Sequence, residues 1–221
     1  MRLARVQAHS GIYNAVIQAF ADTRDADNAE WWLSKMSSGY VAADTISYGT
    51  VIKAFAAEGN VAKAERLLSR MQEAGVQGNA DIYNAVITAF AEARNAIDAE
   101  CWLYKMRDVG IQPSSATYHT VIKACIEACD VHAAEHLLHH MVAAGIQPDT
   151  AIYNTVIKAF SEASPPSWKN ALNAEAILYG MLQENSGVQA DAISYTAVIK
   201  AFDSLNAVDS KQHWMREMLK S

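Results

Sequence analysis

Apolar residues recur along this chain in short blocks at helical spacing. Tyr48, Val51, Ile52 and Phe55 stand at i, i+3, i+4 and i+7, which is one face of a helix. Tyr153, Val156, Ile157 and Phe160 repeat that spacing within Y-N-T-V-I-K-A-F, and related blocks begin at Tyr13, Tyr83, Tyr118 and Tyr195. A second kind of block, Ala64, Leu67, Leu68 and Met71, has the same period. Glu58-Gly59-Asn60 separates the two blocks, as the turn of a helical hairpin would. Ala74-Gly75-Val76 closes the second block, and Gly75 suits the left-handed residue that ends a helix. Gln112-Pro113-Ser114 and Gln147-Pro148-Asp149 then set a proline past that end and a cap-type residue ahead of the next helix. No strand pattern competes.

The first five tyrosines of these blocks lie 35 residues apart, and Tyr195 follows Tyr153 after 42. A fixed period of this length signals a tandem array. One hairpin buries too few side chains to offset its own ordering entropy, so each must stack on its neighbours. The pattern predicts an all-α fold, an α-solenoid of about six hairpins. The expected divisions are a tail of a preceding repeat at 1–9, repeats at 10–44, 45–79, 80–114 and 115–149, a repeat with an insertion at 150–191, and an incomplete one at 192–221. In this register Met1 falls where Met36, Met71, Met106 and Met141 fall, and Val6-Gln7-Ala8-His9 matches Val76-Gln77-Gly78-Asn79. The chain is therefore expected to be part of a longer array. Blocks one and three share Y-N-A-V-I, whereas two and four share V-I-K-A, which hints at a unit of two repeats.

The extra residues of the fifth repeat divide between Ser164-Pro165-Pro166-Ser167-Trp168 and Asn185-Ser186. Insertions in solenoids fall in loops. Trp168, in an otherwise polar loop, is either a contact residue or part of a tolerated excursion. Trp32, Trp102 and Trp214 take the place that Leu67 and Leu137 hold elsewhere, and are expected to pack between helices rather than to cage a ligand.

Composition narrows the function. A hydrophobic fraction of 51% supports a continuous core, and no window approaches the roughly 18 unbroken apolar residues of a membrane span. A net charge of −6 sets a weak overall attraction for phosphate. Three cysteines, Cys101, Cys125 and Cys129, suggest a reducing compartment or buried thiols rather than a disulfide framework. His132, His136 and His140 share a helical face, with His139 adjacent, but no third ligand or carboxylate base accompanies them; a solvated stripe is expected, and no metal. Cys125, Cys129 and His132 have an irregular ligand spacing, and Cys125 stands where other blocks have a core Phe. There is no phosphate-cradling glycine loop, no H-E-x-x-H and no nucleophile elbow. The reading is a binding module without cofactor, not an enzyme.

A 35-residue hairpin with Tyr-Asn-Thr-Val-Ile near its start and Gly-Ile-x-Pro-Asp at its end resembles the pentatricopeptide repeat family. The tetratricopeptide family is the nearest rival, but its tryptophan, Leu-Gly and tyrosine signature is missing. The resemblance spans essentially the whole chain. It implies a right-handed superhelix that binds single-stranded RNA in a mitochondrion or plastid, one base per repeat, in RNA processing, stability or translation. In that family the residue after the tyrosine and the last residue of the repeat together read the base edge. Carried over, the pairs are Asn14 with Asp44, Gly49 with Asn79, Asn84 with Ser114, His119 with Asp149, and Asn154 with Asp191, followed by Thr196. Asn–Asp pairs look like uracil readers and Asn84–Ser114 like a weaker pyrimidine reader, since an amide can both donate to and accept from a pyrimidine edge. Gly49 has no side chain to offer, and His119 fits no established pairing.

The family's phosphate-contacting lysine near the end of the first helix is replaced here by Asp22, Ala57, Glu92, Glu127, Glu162 and Ser204. One turn earlier stand Lys53, Lys123, Lys158 and Lys200, the candidate phosphate contacts. Lys123–Glu127 and Lys158–Glu162 have the i,i+4 spacing of ion pairs. A protein-binding scaffold, a subunit of a large assembly with little RNA binding, is the alternative reading.

Overall fold

The computed structural model describes residues 9–183 and 187–220. The expected register of Met1 and Val6-Gln7-Ala8 and the part of the insertion near Asn185-Ser186 lie outside the described residues. Among the described residues there are twelve helices and no strand. Their contacts divide the chain into two compact units, with the division along the sequence falling between Pro113 and Ser114. The first unit holds α1 (Ser10–Asp22), α2 (Ala26–Ser38), α3 (Thr45–Ala57), α4 (Val61–Glu73), α5 (Ala80–Glu92) and α6 (Ala96–Asp108). The second holds α7 (Ser115–Glu127), α8 (Val131–Ala143), α9 (Thr150–Glu162), α10 (Trp168–Leu182), α11 (Ala192–Asp203) and α12 (Val208–Met218). No described helix is long and apolar enough to cross a membrane.

Each helix is cut to length by local chemistry. Asp44, Asn79, Ser114, Asp149 and Asp191 cap the helices that follow them, each side chain accepting from a backbone N–H of the first turn. Gly75, at φ +72°, ends α4 in the left-handed region, and Gly110 and Gly145 do the same for α6 and α8. Tyr40 meets that demand at φ +59° in the first hairpin, without a glycine.

Within each unit the odd-numbered helices lie side by side, α3 between α1 and α5, and α9 between α7 and α11. Of the even-numbered helices, α2, α4, α8 and α10 pack on their own partners and on the first helix of the next pair, as α4 does on α3 and α5. The periodic apolar residues fill these seams: Val51, Ile52, Phe55, Leu67, Leu68 and Met71 are fully buried. Trp102 and Trp214 are buried as expected of packing residues, and Trp32 is half-buried with its ring edge-on to Tyr13 at 6.2 Å. Cys125 is buried in place of the core Phe, whereas Cys101 and Cys129 are exposed.

Consecutive even-numbered helices are also pinned by polar contacts. In the first unit Lys63 pairs with Asp27, and Glu30 accepts from Arg66 at 3.0 Å. In the second, Asn173 donates to Glu135 at 3.1 Å and the Trp214 indole to Glu175 at 2.8 Å.

One expectation changes. Trp168 is not in a loop but is the first residue of α10, because the Ser167 hydroxyl caps the helix at Asn170 N–H, 3.2 Å away. Its ring is half-exposed and edge-on to Phe202 at 6.0 Å. The insertion thus lengthens a helix as well as a loop.

Candidate functional site

The residue after each repeated tyrosine sits on the first helix of a pair, and the cap residue of the next pair comes up against it. In the first unit the Asn14 amide donates to both Asp44 carboxylate oxygens at 3.3 Å, and the Ser47 hydroxyl donates to Asn14 Oδ1 at 2.6 Å. In the second unit the Asn154 amide donates to Asp191 at 3.0 and 3.2 Å, and the Ser194 hydroxyl donates to Asn154 Oδ1 at 2.6 Å. The same three-residue network is built twice. An ionised carboxylate only accepts, so the group facing it must be the NH2, which fixes how the amide is turned. Each amide keeps one N–H and one lone pair unspent: a donor beside an acceptor.

Local sequence produces this geometry. Asp44 and Asp191 are N-caps in extended backbone, and the serine three positions on closes a capping box with each. Ser47 and Ser194 are fully buried, so their hydroxyls are held firmly against the neighbouring amide. Partial burial pushes the Asp44 carboxyl upward. It is outweighed by hydrogen bonds from the Ser47 N–H and hydroxyl, the Asn14 amide and the Ile46 N–H, so the net shift is below the usual carboxylate range. Asp191 is lowered against the same burial effect by Ser194, Asn154 and the Ile193 N–H.

These depressed values carry a pH dependence. A carboxyl whose folded pKa lies below its unfolded one stabilises the fold above the unfolded value of 3.8 and loses that contribution as pH falls through the folded value. Below pH 4, thermal melts of the Asp44→Asn, Asp191→Asn variant are therefore expected to show a flatter decline than those of the unaltered chain. Parallel declines would mean that these two carboxylates contribute nothing.

The other carried-over pairs differ. Gly49 is buried, and a Cβ there would stand 2.8 Å from Ile82 Cδ1. Asn79 spends its Oδ1 on the Ile82 N–H at 3.1 Å. Asp149 caps α9 through the Ile152 N–H at 2.8 Å, and among the described residues it takes no hydrogen bond from His119. Asn84, half-buried on α5, lines a cleft with Lys53, Thr88 and Glu92. In the second unit the Ser114 hydroxyl lies 2.9 Å from the Thr117 hydroxyl. Thr196 is exposed and lines a cleft with Lys158, Glu162, Ile193 and Lys200.

All four candidate lysines are exposed. Lys123 pairs with Glu127 at 3.7 Å, as its spacing predicts. The expected Lys158–Glu162 pair is not made: Glu162 binds Lys200 of the next hairpin at 3.1 Å instead. Lysine ahead of glutamate is the weaker i,i+4 order, and the side-by-side packing of α9 and α11 offers a second lysine. The histidine stripe is also less free than expected, since His140 Nδ1 lies 3.0 Å from the hydroxyl of buried Tyr118. No group of three or more His, Cys, Asp or Glu among the described residues could hold a metal ion.

A model of the pentatricopeptide repeat domain matches residues 33–93, 67–128 and 101–163, and a second model, for the single repeat, matches 11–40. The chain belongs to the pentatricopeptide repeat family. No curated relative matches it. Among solved structures it is similar to the pentatricopeptide repeat protein PPR10 from maize, at 20% identity and TM-score 0.74 over 95% of this chain and 29% of that one. The nuclear protein-only RNase P 2 of Arabidopsis thaliana is similar at 16% identity and TM-score 0.67, over 88% of this chain and 42% of that one. PPR10 in complex with an 18-nt psaJ RNA element matches at 21% identity and TM-score 0.57, over 97% of this chain and 34% of that one. The chain thus spans well under half the length of each, and at such identities the likeness speaks for the pentatricopeptide fold alone.

Two sets of residues at the site escaped the sequence reading. Ser47 and Ser194 were visible in Asp-x-x-Ser as the third residue of a capping box, a signal that says nothing of a partner more than 30 residues away. Ile46 and Ile193, 65% and 59% exposed, stand between cap and serine as apolar faces beside the polar pairs. Isoleucines off the buried stripe were the available clue.

Proposed function

We propose that this chain is an RNA-binding pentatricopeptide repeat protein. It takes a single strand along its first helices, reads up to one base per repeat, and serves RNA processing, stability or translation in a mitochondrion or plastid. The observation that carries the reading is the duplicated network Asn14–Asp44–Ser47 and Asn154–Asp191–Ser194. Each Asn offers a donor and an acceptor to a pyrimidine edge, with uracil the expected base. Ile46 and Ile193 supply apolar surface for the face of a base. The family and the PPR10 complex with RNA point the same way. The role is binding; chemistry on the RNA, where it occurs, belongs to other proteins or domains.

Lysines set the phosphate contribution. Lys123 and Lys200 are engaged by carboxylates, which leaves Lys53 and Lys158 to meet phosphates directly. For single strands log Kobs falls with log salt at about −0.7 per phosphate neutralised, so a slope of roughly −1.4 is expected. Titrating a labelled hexauridine at several salt concentrations tests this. Absence of binding at low salt would remove the RNA reading, and a slope near −3 would mean that all four lysines engage.

The scaffold reading keeps one observation of its own. Trp31, Ile97, Leu172 and Tyr179 are half or more exposed, or nearly so, on even-numbered helices away from the pairs. They are candidate protein contacts outside the RNA face.

A further inference from the structure

The residues after the tyrosines and at the caps are not the only ones near the pairs that change from repeat to repeat. The residue three positions past each cap varies with them. Where the first helix carries Asn14 or Asn154, that residue is a buried serine, Ser47 or Ser194, donating to the amide oxygen. Where the preceding residue is Gly49 or His119, it is a buried isoleucine, Ile82 or Ile152. For Asn84 the sequence again supplies a hydroxyl, Thr117. The isoleucine is not a neutral replacement. Ile82 is 1% exposed, and its Cδ1 and Cγ1 lie 2.8 and 3.1 Å from where a Cβ on Gly49 would stand, so its side chain fills the seat of the missing amide.

We propose that this third residue past the cap is a specificity-determining position: a hydroxyl there turns a repeat on, and an isoleucine turns it off. The hydroxyl does two things. It takes one lone pair of the amide oxygen and so holds the amide in a single orientation, and it does so from a buried site that water cannot compete for. An isoleucine offers no proton, leaves any amide free to rotate, and at Ile82 excludes the amide altogether. The first and fifth repeats read, and the second and fourth are spacers. The alternation of hydroxyl and isoleucine at this position along the sequence gives its two-repeat unit a physical meaning. This rests on the RNA reading above, and the test separates the two.

Four proteins are compared with the unaltered chain: Gly49→Asn/Asn79→Asp with Ile82 kept, the same pair with Ile82→Ser, Ser47→Ala and Ser47→Thr. Probes are hexauridine and hexaadenosine RNA, together with thermal melts without RNA. The variant carrying Ile82→Ser reproduces Asn14–Asp44–Ser47 in the second repeat. It is expected to bind hexauridine about tenfold more tightly than the unaltered chain, with hexaadenosine unchanged. With Ile82 kept, no gain and a lowered melting temperature are expected, and Ile82→Ser should raise that temperature again although it removes a core isoleucine. Ser47→Ala should weaken preference for uridine without abolishing it, since Ser194 still holds Asn154, and Ser47→Thr should restore it. An equal gain with Ile82 kept, or no gain with Ile82→Ser while the unaltered chain binds hexauridine, overturns the proposal. If no protein binds RNA, the function reading fails, and the melts still decide whether Ile82 and an amide at 49 compete for one seat. A further drop on adding Ile82→Ser refutes that competition.

Discussion

Replacing Asn14 and Asn154 together by alanine is expected to weaken hexauridine binding by about 100-fold or more and to abolish preference over hexaadenosine. On the proposed reading each amide brings one donor and one acceptor to a base edge, and a hydrogen bond is worth about 0.5–1.5 kcal/mol net. Two per amide give roughly 1–3 kcal/mol, or about tenfold to a hundredfold for each repeat. The fold should survive, because the amides are half-buried and Ser47 keeps Asp44 Oδ1 as an acceptor at 2.9 Å. Melts of the variant within a few degrees of the parent would establish this. Changing Lys53 and Lys158 to glutamine should instead flatten the salt dependence and leave base preference alone, because phosphate contacts position the strand without reading it. Uridine preference that persists in the double alanine variant would remove the base-reading role of these residues.

Truncating Trp102 to alanine is expected to cost about 3–5 kcal/mol, among the largest stability effects of a single substitution. That is a third or more of the stability of many domains. The indole is 2% exposed, meets the Tyr83 ring at 6.1 Å, and has the Lys105 ammonium 3.9 Å from its ring centre. Alanine leaves a cavity between α5 and α6 that a rigid helix pair cannot close. Trp102→Leu should recover much of the loss, because Leu67 and Leu137 fill the matching place with no exposed surface. Denaturation followed by helical circular dichroism measures both. A cost below 1 kcal/mol for Trp102→Ala would show that the seam is looser than its burial indicates.

The hairpins and their caps were legible because their signals are local. Tyr48, Val51, Ile52 and Phe55 encode a helix face within eight residues, and Asp44 or Asp149 caps a helix through its own third neighbour. Trp168 misled for the same kind of reason. Prolines and a serine ahead of it read as loop, yet that serine is the cap that starts α10. The site was half legible. Asn14 with Asp44 and Asn154 with Asp191 came from the family resemblance, and the structure brings each pair into direct contact.

Sequence alone therefore determined the hairpins, their buried stripes and the repeat period, since faces and caps depend on side chains a few positions apart and the period is their recurrence. Tertiary structure decided what those helices hold between them. Glu162 turning from Lys158 to Lys200, Ser47 reaching back to Asn14, and Ile82 filling the space beside Gly49 all join residues more than 30 positions apart. Such partners are set by how far one hairpin is shifted and rotated on the next. That shift follows from the packing of the whole seam, so no single stretch of sequence contains it.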